Sequence, residues 1–192
     1  MLCVATAKVG PIRRSWWAVY DGTTLHEGAK APFTLRTEPG TPIEATTGPT
    51  WTRKTPLRVT GTVLGTRIDA PGLLDESEGR HPRRTQWLWS AGAGLTVDGK
   101  GVIWNFVEGM HPGENTVWIE GIPHKVDPPA FDGLRRVGDL TFTALATRAK
   151  RENYLLIASD YEQPFGTFAG SLPIAGELAS GAGVMERHEA LW

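Results

Sequence analysis

The chain holds 192 residues, with 20 Lys and Arg against 21 Asp and Glu and a formal net charge of -1. That balance provides no broad field for nucleic acid or an anionic membrane surface, and a chain this long buries about 70% of its unfolded surface as one domain. A single cysteine, Cys3, excludes an internal disulfide. Apolar runs are only a few residues long, against the roughly 20 that cross a bilayer as a helix. The apolar start, Met1 to Val9, is short, contains Lys8 and runs into Gly-Pro-Ile-Arg-Arg, so no cleaved signal and a cytoplasmic location are expected.

Strand patterns follow one another along the chain. Ser15-Trp16-Trp17-Ala18-Val19-Tyr20 enters a turn at Asp21-Gly22, and residues 28–50, rich in Pro, Gly and Thr, read as weak strand plus loop. Leu57 to Val63 alternates and turns through Leu64-Gly65-Thr66 into Arg67-Ile68-Asp69. Asp75 to Arg83 reads as a long polar loop, either self-neutralising or a lid whose Arg84 enters the next strand. Residues 85–91 and 101–108 form a predicted hairpin through Asp98-Gly99, and residues 115–119 and 122–126 a second through Glu120-Gly121. Residues 140–147, 153–161, 165–172 and 183–188 complete the set. Within it, Ala144 to Arg151 has some helical character but begins in strand chemistry. The expected fold is all-β: a single-domain antiparallel meander of about eight to ten strands closing into a barrel.

The last strand carries the sharpest chemical signal. Extended backbone alternates its side chains, so Val184, Glu186 and His188 share one face while Met185, Arg187 and Glu189 share the other. Glu186 and His188 are therefore the candidate acid and base, and the purely structural alternative pairs Glu186 with Arg84 or Arg148. Trp87 and Trp89 share a face of their strand, as do Val102, Trp104 and Phe106 on the next; both sets read as core, as an aromatic wall, or as both. Arg84, Gln86, Leu88 and Ser90 share the face opposite Trp87, suited to gripping an anion at the rim. Asn105 and Glu108 point to opposite faces, and Asn105 reads first as a hydrogen-bond anchor. His26, His81, His111 and His124 lack ligand spacing, and no phosphate loop, nucleophile elbow or zincin motif occurs, so neither metal nor cofactor is expected.

Three blocks, Arg84 to Ser90, Tyr161 to Gly170 and Gly183 to Trp192, resemble in order and spacing a bacterial family known only as domain of unknown function 2804. Trp104-Asn105, Glu114-Asn115 and the Trp118 to Val126 hairpin lie between them, and the resemblance covers roughly residues 51–192. It implies a lipocalin-like, calycin-type β-barrel with no established activity, and by fold analogy alone it looks like barrels that handle hydrophobic molecules. Family members usually carry more sequence ahead of the Trp51-Thr52-Arg53-Lys54 block. The short segment here implies a barrel incomplete on its N-terminal side, its open edge covered by the N-terminal segment or by a second subunit in a homodimer.

The first functional expectation is a barrel that binds a small, largely hydrophobic molecule with a polar or anionic end. Its candidate contacts are Arg84, Gln86, Trp87, Trp89, Trp104, Asn105, Phe106, Glu114, Tyr161 and Gln163, with Glu186 and His188 at the polar end. The alternatives are a hydratase, isomerase or cyclase using Glu186 and His188, and a solid-core partner-binding module.

Overall fold

The computed structural model describes residues 2–9, 12–20, 24–27, 33–63, 65–80, 82–109, 111–153 and 158–191, with side chains described from residue 35 onward. The Asp21-Gly22 turn, His81, residues 154–157 and Trp192 lie outside the described residues, as do the side chains of Cys3, Trp16, Trp17 and His26.

Strands dominate: β1 (Leu2–Val9), β2 (Ile12–Tyr20), β3 (Thr24–Glu27), β4 (Phe33–Pro39), β5 (Ile43–Thr47), β6 (Thr50–Val63), β7 (Thr66–Gly79) and β8 (Arg84–Thr96) come first. Then follow β9 (Gly101–Glu108), β10 (Thr116–Ile119), β11 (Ile122–Lys125), β12 (Phe131–Asp132), β13 (Arg136–Val137), β14 (Leu140–Asn153), β15 (Ala158–Leu172) and β16 (Gly176–Leu191). A 3-10 turn, Pro112–Glu114, separates β9 from β10, and the described residues contain no α-helix. None of them forms a helix long and apolar enough to cross a membrane.

Every pairing is antiparallel, as the hairpin signals require. One sheet has seven strands ordered β1-β2-β3-β4-β6-β5, with β7 along the other side of β6. The second has nine, ordered β11-β10-β9-β8-β16-β15-β14-β13-β12, and curls into a half-barrel. β7 approaches β8 and β1 approaches β14, so the sheets meet at both margins without one continuous ladder. The incomplete all-β barrel expected from the sequence is the fold.

Both predicted hairpins form, β8 with β9 and β10 with β11. Glu120 and Gly121 both take positive φ, 50° and 80°, the geometry of a two-residue turn matched to strand twist. Ala144 to Arg151 is strand, within β14. Several boundaries differ from expectation, β8, β14 and β16 among them, which run beyond 85–91, 140–147 and 183–188. Residues 33–39 and 43–47 are paired strands. Asp75 to Gly79 is strand as well as Thr66 to Leu74, with Asp75 and Ser77 paired to Lys54 and Thr52 and bordering the cavity between the sheets although open to solvent. Residues 158–172 form one strand, although Pro164 punctuates it. Proline lacks the N–H, and the ladder to β16 keeps its register but skips Gln163 and Pro164.

The curl of the nine-stranded sheet encloses its own core. Trp104, Phe106 and Val102 on β9 meet Val117, Leu140, Phe142, Phe168, Leu178 and Met185. The Trp104 ring meets Phe168 edge-on at 5.0 Å, and its indole N–H donates to Ser90 Oγ at 3.2 Å. Gly92 makes this possible, since a Cβ there would lie 2.3 Å from Trp104 Cζ2 and 2.7 Å from the Ala182 carbonyl. Gly92→Ala is therefore expected to destabilise the fold by about 1–3 kcal/mol, the usual cost of overpacking. A urea midpoint equal to that of the parent protein would refute this packing role.

Candidate functional site

The other face of β8, β9 and β16 looks towards the seven-stranded sheet. Strand alternation sends Trp87, Trp89, Asn105, Val107, Glu186 and His188 to that face, in register across the sheet: His188 pairs with Trp87, Glu186 with Trp89, and Trp89 with Val107. From β6 and β7, Thr52, Lys54, Asp75 and Ser77 point back at them. Between the two sheets lies a cavity of about 290 Å³, closed on one side by His111 and Glu114.

A partly buried ion bridge spans this gap, with Lys54 and Glu114 inside and Asp75 open to solvent. Lys54 is only 4% exposed, and its Nζ contacts the Asp75 carboxylate on β7 and Glu114 Oε2, at 3.1 Å, on the 3-10 turn of the opposite sheet. Two asparagines fix that turn. Asn115 Oδ1 accepts the Val107 N–H at 2.9 Å while its Nδ2 donates to the Pro112 carbonyl at 3.0 Å. Asn105 Oδ1 accepts the Trp89 indole N–H at 2.8 Å, and its Nδ2 donates to the Glu114 carbonyl at 3.1 Å. A third link comes from Trp118, whose Nε1 donates to the Thr41 carbonyl at 2.9 Å. His111 adopts φ 48°, a left-handed conformation unusual for a residue with a Cβ. Thr52 Oγ1, His111 Nδ1 and Glu114 Oε1 are buried with no hydrogen-bond partner, an arrangement that native interiors seldom tolerate without a use.

Glu186 is held by neutral donors. Trp87 Nε1 donates to Oε1 and Gln163 Nε2 to Oε2, each at 2.8 Å, and the Tyr161 hydroxyl also bonds the carboxylate. Burial pushes the Glu186 carboxyl above its ordinary range against the pull of these donors, and Asp75 adds like-charge repulsion. Burial likewise raises the Tyr161 phenol, helped by Glu186. His188 moves the opposite way: burial lowers it, and Asp160 partly offsets this. The His188 ring stands edge-on to Trp87 and Tyr161, with Nε2 at 2.9 Å from Ser159 Oγ. An acid held up and an imidazole held down thus lie two residues apart at one cavity wall.

The family model described as a domain of unknown function, DUF2804, matches residues 50–192. The chain belongs to this family. Comparison with curated proteins and with solved structures finds no match. The part of this DUF2804 chain that matches runs from the first residue of β6 to the end of β16, and so contains every cavity residue named above.

The DUF2804 cavity gathers some of the sequence candidates and leaves others outside. Trp87, Trp89, Glu114, Glu186 and His188 line it, and Asn105, Tyr161 and Gln163 position those residues from behind. Trp104 and Phe106 lie on the other face of the sheet, within the core. Arg84 and Gln86 are on that other face too, by strict alternation with Trp87, and Arg84 is exposed and bonded to Glu189. Arg84 is therefore not the partner of Glu186, and neither is Arg148, which lies over the Tyr161 ring at 5.6 Å. Sequence reasoning missed Thr52, Lys54, Asp75 and Ser77, since nothing local tells a strand which distant sheet it will face.

A second, larger cavity of about 820 Å³ opens further along the same strands. Ala93, Ile103, Trp118, Thr167 and Ala182 line it, with Ala70 and Pro71 of β7 opposite. Its signal was in the sequence: Ala91-Gly92-Ala93-Gly94 and Gly181-Ala182-Gly183 pair in the middle of the sheet, where small side chains leave room.

Two outcomes follow. Lys54→Met leaves the buried Glu114 carboxylate without its cation, while Asp75 keeps its solvent, and is expected to cost about 2–3 kcal/mol in chemical denaturation, with Glu114→Gln recovering part of the loss in the double variant. No interaction between the two substitutions would show that the bridge does not tie the sheets. His188 faces Ser159, Tyr161, Trp87 and Glu186, with Asp160 its nearest charge influence. Because its folded value lies below the ordinary 6.5, the unfolded chain takes up this proton first, and stability drops as pH falls below about 6.5. His188→Gln should flatten the decline of Tm between about pH 7 and pH 5; an unchanged slope would contradict the assignment.

Proposed function

We propose that this DUF2804 chain binds a small amphipathic molecule between its two sheets, with an apolar body in the larger cavity and a polar end among Trp87, Trp89, Glu186 and Lys54. The observation that carries this reading is the pairing of an apolar and a polar cavity on one face of the same strands. Ala93 and Ile103 belong to the first and Trp89 and Val107 to the second, two positions further along each ladder past Ala91 and Asn105. Small-molecule sites combine such an apolar lining with a few convergent polar groups. Volumes of about 290 and 820 Å³ weigh against an interior that is packed solid throughout.

A lipocalin-like binding role fits this arrangement, with one difference from the simple barrel picture. The curl of the nine-stranded sheet is filled by Trp104, Phe106 and their neighbours, so the proposed ligand occupies the space between sheets. The orphaned polar atoms of Thr52, His111 and Glu114 supply hydrogen-bonding capacity for its polar end.

Ala93→Phe places a ring in the larger cavity and tests the proposal directly. N-phenyl-1-naphthylamine, a neutral apolar fluorophore, is expected to bind the parent protein and to bind the variant about tenfold more weakly, a loss of about 1.4 kcal/mol. Equal affinity in a folded variant would remove the cavity from the binding site.

A further inference from the structure

The lining of the smaller cavity has an unbalanced charge. Asp75, Glu114 and Glu186 contribute three carboxyl groups, Lys54 the one ammonium, and His111 and His188 two imidazoles. Lys54 is already engaged, because its Nζ contacts both Asp75 and Glu114. Glu186 has no cationic partner among the described residues. Its two oxygens accept hydrogen bonds from Trp87 and Gln163, which fix the carboxylate without neutralising it. A buried carboxylate so placed is costly until a positive charge reaches it.

Glu114 gives an independent pointer. Its side chain is 3% exposed, one oxygen is bonded to Lys54, and the other, Oε1, is buried on the cavity wall with no hydrogen-bond partner. The nearest candidate, His111 Nδ1, is 4.0 Å away and itself unpartnered. A ligand N–H is what this oxygen lacks. Trp87 and Trp89 complete the wall with the strongest ring type for cation–π attraction.

On the reading that the cavity binds a ligand, we propose that the polar end of that ligand is an organic cation, an ammonium on an apolar body, seated on Trp87 and Trp89 with Glu186 and Glu114 as its counter-charges. An anionic end would meet three carboxyl groups with the one ammonium already shared. A neutral end would leave Glu186 uncompensated. A bare metal ion does not suit the site, since the described residues bring together no group of three His, Cys, Asp or Glu side chains able to hold one. The raised Glu186 carboxyl agrees with this assignment, because an arriving cation favours its ionised form.

Three probes that share one apolar chain separate the possibilities: octylammonium, 1-octanol and octanesulfonate, titrated calorimetrically into the full chain below their micellar concentrations. The ammonium is expected to bind at least about tenfold more tightly than either of the others. Glu186→Gln should bring the ratio of ammonium to octanol affinity close to one, and Glu114→Gln provides the same comparison if the first variant does not fold. Sulfonate or octanol binding as tightly as the ammonium would overturn the cationic assignment while leaving the ligand-binding proposal standing. If none of the three binds, the ligand-binding reading falls with it.

Discussion

The Lys54 ammonium ties the two sheets at the polar cavity, beside the bond from Trp118 to the Thr41 carbonyl. Lys54 on β6 reaches Asp75 on the neighbouring strand and Glu114 on the opposite sheet, and the cavity exists because the sheets are held at that distance. An apolar side chain there would leave the buried Glu114 carboxyl group without its cation. The rest of the site is arranged around this bridge. Asn115 and Asn105 hold the turn that carries Glu114, and Asn105 also fixes the indole of Trp89. The polar chain from β6 to β8 is thus continuous.

Period-two alternation made much of this legible. It separated Glu186 and His188 from Met185 and Arg187, and Trp87 and Trp89 from Arg84 and Gln86, and the structure keeps both separations. Turn chemistry at Asp98-Gly99 and Glu120-Gly121 identified the hairpins. What alternation does not supply is the sign of each face. Trp104 and Phe106 alternate as well as Trp87 and Trp89 do, yet only the curl of the whole sheet decides that the first pair fills the core. The charged run from Asp75 to Gly79 read as loop because every local preference pointed to solvent. Its strand character comes from fourteen consecutive residues of β6 lying alongside. Lys54 was invisible for a related reason, since its two partners come from distant parts of the chain.

The polar groups around Glu186 show how a carboxylate can be oriented without being neutralised. Trp, Gln and Tyr donate hydrogen bonds but bring no charge, so burial still prevails and the carboxyl is held upward. His188, two residues on, meets the same burial with the opposite result. A single strand face thereby carries two groups of convergent proton affinity, and the wall between them is aromatic.

Pro164 has a consequence beyond its own strand. Because it brings no N–H, the β15–β16 ladder misses the rungs opposite Glu186 and Met185, in the middle of an otherwise long pairing. Sheets open first where their rungs are fewest. The stretch that carries Glu186 is therefore held on that side by the grip of Gln163 and Tyr161 on its side chain more than by backbone. Glu186 thereby ties β15 to β16 through its side chain where the backbone ladder is interrupted.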